Sequence, residues 1–113
     1  MSKDDYHVLA YKILAYLYEC LKQGEHPSVE YLSCDTKAFP VGESYWNYVL
    51  VHLLDEGYVE GIFTVPILRS EQGVKGMEKI QITPKGIEYL QDNSKMKRVR
   101  EFLKGLKETI PGI

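Results

Sequence analysis

The sequence predicts a mainly helical domain with one small antiparallel β-hairpin, an α+β fold. Three observations predict it. Apolar residues recur at three- and four-residue steps over 4–23 and again over 43–56. After Gly57 the pattern switches to β-branched and aromatic residues in two short runs. At Thr83-Pro84 the helical period returns. The chain has 113 residues, 44% hydrophobic and 27% charged, enough for one core without disulfides or metal.

The first helix is placed at 4–23. Tyr6, Leu9, Ala10, Ile13, Leu17, Cys20 and Leu21 share one face, and Val8, Tyr11, Leu14, Ala15 and Tyr18 form a second apolar line. Two apolar lines predict a helix covered on two sides. Gly24 supplies its stop. A short second helix is expected at 28–34, with Ser28 as N-cap and Val29, Leu32 and Tyr31 turned inward. The stretch 35–42, with Pro40 and Gly42, is a turn. The third helix, 43–56, buries Trp46, Val49, Leu50 and Leu53 and ends at Gly57.

Strands are expected at 58–65 and 77–82, joined by a polar loop holding Gly73 and Gly76. Thr83 caps a helix at 84–92 with Pro84 in its first position, and Ile87 and Leu90 point inward. A last helix is expected at 95–110. Val99, Phe102, Leu103, Leu106 and Ile110 form its narrow apolar stripe.

Three helices, a two-stranded hairpin and further helices follow the winged helix-turn-helix plan, with an added C-terminal helix. Helices two and three form the turn motif, and the hairpin is the wing. The whole chain, 1–113, is one such domain. The exit Ile82-Thr83-Pro84-Lys85-Gly86-Ile87-Glu88-Tyr89-Leu90 resembles the segment that leaves the wing in such proteins. Leu54-Asp55-Glu56-Gly57-Tyr58-Val59 resembles the junction of third helix and wing.

A narrower likeness rests on Lys3-Asp4-Asp5-Tyr6, Tyr11-Lys12-Ile13-Leu14, Tyr16-Leu17-Tyr18-Glu19-Cys20-Leu21, Tyr45-Trp46, Asp55-Glu56-Gly57-Tyr58, Gly86-Ile87-Glu88-Tyr89-Leu90 and Ile110-Pro111-Gly112. In these the chain resembles the YjcQ-like family, small proteins of Gram-positive bacteria and their prophages. The resemblance spans nearly the whole chain and is weakest over 66–75. It implies a winged-helix fold and brings no activity, cofactor or binding residue.

Charge is unevenly distributed. Residues 1–93 hold 8 basic and 14 acidic side chains, a balance of −6. Residues 94–113 hold 6 basic and 2 acidic, a balance of +4. The whole chain, at −2, lacks the basic excess of a strong nucleic-acid binder. If the protein reads double-stranded DNA, the third helix enters the major groove. With Trp46 at the centre of the buried side, a step of about 100° per residue turns Ser44, Asn47, Tyr48, Val51, His52 and Asp55 outward. Asn47 then reads adenine, Ser44 and Tyr48 hold phosphate, Val51 touches a thymine methyl, and His52 completes the face. Arg69, Lys75 and Lys79 of the wing are the nearest cations, countered by Glu71 and Glu78. Self-association into a homodimer would use Tyr11, Leu14 and Tyr18 of the first helix against Val99, Phe102 and Leu106 of the last.

Catalytic readings find little in this sequence. Cys20, His26 and Cys34 lack the spacing of a zinc site, and His7 and His52 are isolated. Gly73-Val74-Lys75-Gly76 is not a phosphate loop, and adjacent Asp55 and Glu56 point different ways on a helix. No enzyme, metal or cofactor is expected. No secretory leader is expected from the polar start, and no run approaches the roughly 18 apolar residues of a membrane span. The expected setting is therefore the cytoplasm, with Cys20 and Cys34 as reduced thiols. The leading role is a small DNA-binding regulator of phage or mobile-element type, and the alternative is a protein-interaction module on the same scaffold without DNA binding. A small-molecule sensor is a third.

Overall fold

In the computed structural model, which describes residues 5–92, α1 runs from Tyr6 to Gln23. The Asp5 carboxylate caps it by accepting from the His7 N–H at 2.9 Å. Gly24 closes it at φ 70°, its N–H turned back to the Cys20 and Leu21 carbonyls. Leu9, Ile13 and Leu17 of one line and Val8 and Leu14 of the other are all buried, so α1 is covered on two sides. Lys12 is buried with them. Its ammonium donates to the Ala38 carbonyl and stands 5.0 Å from the centre of the Phe39 ring. One lysine thereby ties the 35–41 turn to the middle of α1.

The expected helix at 28–34 is not formed. Leu32 N–H donates to the Ser28 carbonyl (3.1 Å), giving one helical turn, but Ser33 N–H bonds the Tyr31 carbonyl and the ladder ends. Side chains compete for the backbone here: Ser28 Oγ accepts from Tyr31 N–H, Ser33 Oγ donates to the Val29 carbonyl, and Thr36 Oγ1 donates to the Ser33 carbonyl. Asp35 takes a left-handed φ of 56°. Leu32 is buried as expected, and Tyr31 packs between Tyr16 (4.6 Å) and Phe39 (5.4 Å). Val29, expected inward, is 46% exposed.

The tryptophan-bearing helix, α2, spans Glu43–Asp55. Val49, Leu50 and Leu53 are buried on its inner face, and Trp46 is only 6% exposed. Its ring meets Phe39 at 4.9 Å, joining α2 to the turn that Lys12 holds.

The hairpin is real but takes another path. Val59–Glu60 (β1) pairs antiparallel with Gln81–Ile82 (β4), and Phe63–Pro66 (β2) pairs antiparallel with Gln72–Lys75 (β3). The strand expected at 58–65 is thus broken in two. In place of the strand expected at 77–82 there is a 3₁₀ turn, Met77–Lys79, followed by β4. The second strand of the inner pair comes from the segment read as a loop. Two glycines account for this. Gly61 (φ 91°) crosses so close to the Lys79 carbonyl that a Cβ would stand 2.0 Å from it, and Gly76 (φ 89°) opens the 3₁₀ turn opposite. At the tip, Ile67 N–H donates to the Glu71 carbonyl (2.9 Å). Ladder alternation then turns the amide of residue 66 outward, where Pro66 has no N–H to leave unpaired.

Thr83 caps α3 (Pro84–Gln91) by accepting from Gly86 N–H at 3.1 Å, with Pro84 at its start. Leu90 is buried, and the Tyr89 hydroxyl meets His7 Nδ1 of α1 at 2.8 Å. The described residues therefore form three helices with two small antiparallel sheets, a mixed α+β globule. The expected helix at 95–110 lies outside them.

Candidate functional site

The outward face of α2 is the place to look for a site, because the inner face is spent on Trp46, Val49, Leu50 and Leu53. The hairpin packs β3 against that outward face. Ser44 Oγ meets Glu71 Oε2 at 3.4 Å. Asn47 stands so near β3 that a Cβ on Gly73 would lie 3.8 Å from its Nδ2. Val51, expected to reach a thymine methyl, is 7% exposed and belongs to the packed interior. β3 of the hairpin returns along α2, which a helical wheel drawn on α2 alone does not register.

Tyr48 and His52 remain accessible in the middle of the face, with Ser44 and Asp55 exposed towards its two ends. Tyr48 is 53% exposed. The His52 ring lies 4.1 Å from it and its Nδ1–H donates to the Tyr48 carbonyl at 2.9 Å, so in the neutral ring Nε2 is the acceptor. A hollow of about 420 Å³ is lined by Ser44, Tyr48, Val51, His52, Glu71 and Gln72. A second, of about 570 Å³, is lined by Tyr6, Ser44, Tyr45 and Tyr48, so the two share Ser44 and Tyr48. Burial raises Tyr6 above the usual phenol range, with Tyr58 and Glu56 adding to it.

The expected cations do not gather here. Arg69 is exposed at the hairpin tip, in a left-handed conformation (φ 65°). Lys75 is exposed at the end of β3. Lys79 lines a different groove, of about 380 Å³, with Leu17, Cys20 and Ile80. Of the self-association residues, Tyr11 and Tyr18 are half-buried, and Lys22 Nζ stands over the Tyr18 ring at 4.5 Å. Leu14 is fully buried in the core and offers nothing to a second copy. Val99, Phe102 and Leu106 lie outside the described residues.

Both cysteines are free thiols. Burial pushes both up, and at Cys34 the adjacent Asp35 carboxylate adds to it. No helix among the described residues is long and apolar enough to cross a membrane.

Sequence reasoning passed over Glu71, Tyr45 and Tyr6 as members of this face. The spacing of Tyr45, Tyr48 and His52, three and then four residues apart, is a signal that could have found the aromatic ridge. Glu71 has no such signal, since only the fold-back of the hairpin brings it to Ser44.

Compared with known proteins, the chain has no match among curated proteins or solved structures. A family model, described as YjcQ protein, matches residues 11–109. That match takes in α1, the turn, α2, the hairpin and α3 almost entire, and by it the chain belongs to the YjcQ family.

Proposed function

We propose that this protein is a protein-interaction module on a winged-helix scaffold, engaging its partner through the outward face of α2 and not reading DNA with it. One observation carries the reading: β3 packs on the face a recognition helix would present. Val51 is buried, Asn47 faces Gly73, and Ser44 is joined to the carboxylate of Glu71. A major groove would meet an acid where phosphates require a base. Neutralisation of phosphates supplies most non-specific affinity for DNA, and among the described residues no lysine or arginine lines either hollow on this face. Exposed Tyr48 with His52 beside it is instead the kind of aromatic surface that protein interfaces use.

The test is fluorescence anisotropy of the full-length chain with a random duplex, in a salt series starting at about 50 mM. The expected result is no binding above baseline at the lowest salt. Binding that weakens steeply with salt, and that is lost in Lys75→Glu/Lys79→Glu, would overturn the reading in favour of a DNA-binding regulator.

A further inference from the structure

The pair of hollows on α2 has a charge and a chemistry that select an occupant. Among the described residues Glu71 is the one acidic or basic residue lining them, and it is exposed. Glu43 precedes Ser44 in the first turn of α2, and Asp55 is exposed at the other end of the same face. The shared wall is Tyr48, half exposed, stacked on His52 and 6.3 Å from Tyr45. Carboxylate beside an exposed aromatic face is the chemistry that holds a lysine or arginine, the ring quadrupole attracting the cation and the carboxylate accepting its N–H groups.

The same fold seats lysines on rings elsewhere. Lys12 stands over Phe39, Lys22 over Tyr18 and Lys85 over Tyr58, at 4.5 to 5.5 Å. Among the described residues no lysine or arginine does so at Tyr48. Two adjoining hollows of about 420 and 570 Å³, running from Tyr6 to Gln72, also exceed what one small amine could cover. A stretch of polypeptide fits them better.

We propose that the face formed by Tyr48, His52, Ser44 and Glu71 docks a basic segment of a partner protein, one of whose arginines or lysines lies on Tyr48 with its charge at Glu71. The proposal rests on the interaction reading above. An acidic segment would meet Glu71, Glu43 and Asp55, and a nucleic acid would meet the same three.

The experiment is ¹H–¹⁵N NMR of the full-length chain, titrated with a synthetic peptide alternating arginine and leucine, and separately with its glutamate–leucine counterpart. The arginine peptide is expected to move the amides of Ser44, Tyr48, His52, Glu71 and Gln72, and the glutamate peptide is not. Tyr48→Leu and Glu71→Gln alter exposed side chains, and each is expected to weaken the arginine peptide about tenfold. An unchanged Trp46 indole resonance reports that each variant is folded. Equal response to both peptides overturns the proposal, as does a response confined to the groove of Leu17 and Cys20. So does movement of the same amides on Arg98→Glu/Arg100→Glu with no peptide added, which would assign the face to the chain's own basic end. Failure with the peptides while the duplex also fails to bind removes this proposal alone. Salt-sensitive duplex binding that is lost in Lys75→Glu/Lys79→Glu removes the reading beneath it.

Discussion

Replacing Gly86 by alanine sets two effects of opposite sign against each other, and the structure decides between them. In a helix, alanine is favoured over glycine by about 0.5–1 kcal/mol, so propensity alone predicts a gain. At this position, in the first turn of α3, an added Cβ would stand 2.4 Å from the Tyr58 carbonyl oxygen and 2.7 Å from Ile82 Cγ1. Ile82 can give a little by rotation, but the carbonyl cannot. It is backbone, and it accepts the Thr83 N–H at 3.1 Å. Thr83 in turn caps α3 and donates to the Gly57 carbonyl. Relieving the clash therefore opens the junction of hairpin and helix, and overpacking of this kind costs about 1–3 kcal/mol. A weakened backbone hydrogen bond adds about 0.5–1.5 kcal/mol. Against a gain of at most about 1 kcal/mol, the net expectation is a loss of about 1–3 kcal/mol. For a domain of this size that lowers Tm by roughly 5–20 °C. Urea and thermal unfolding followed by circular dichroism would measure it. A variant as stable as the parent, or more so, would refute the close approach of Gly86 to Tyr58.

Two further outcomes are expected. Trp46→Ala should cost about 3–5 kcal/mol in urea unfolding, because the ring is core between α2 and Phe39, and a loss below about 1 kcal/mol would show that α2 is turned differently. The protein should also lose stability in alkali. Burial, with Tyr16 nearby, pushes Tyr31 up to about 12, and Tyr6, Tyr16 and Tyr89 are raised as well, each chiefly by burial. The folded state keeps these protons where unfolded tyrosines, near 10, release them, so the stabilisation is complete below pH 10 and falls as pH rises from 10 towards 12. Tyrosinate absorbance and circular dichroism followed together should change in one transition for these rings, with Tyr31→Phe moving it to higher pH. Full ionisation near pH 10 with the helices intact would refute it.

Some of this architecture is written in short stretches of chain. α1 begins and ends, α2 ends and α3 begins where caps and glycines lie, because Asp5, Gly24, Gly57, Thr83 and Pro84 act on backbone groups only a few residues away. The buried stripe of α2, with Trp46 at its centre, follows from the helical period alone. The segment 28–34 misled for an equally local reason. Its serines and threonine cap and turn as readily as they start a helix, and here they turn. Lys12 could not be placed from its type. A lysine between two apolar lines reads as a solvated gap until Ala38 and Phe39 are brought to it from 26 residues away.

The sequence by itself determined where three helices start and stop, which face of the tryptophan helix turns inward, and that a hairpin follows. Capping, period and turn chemistry act over a few residues, so each is complete within the local string. Only the tertiary structure decided that β3 comes from the glycine-bearing segment 72–75 and lies along α2. That one placement sets Glu71 beside Ser44 and Gly73 beside Asn47, and leaves Tyr48 to face outward. The physical reason is that the outward side of a helix is defined by what packs on it. No period along α2 carries that information, because the packing strand lies some 20 to 30 positions further along the chain.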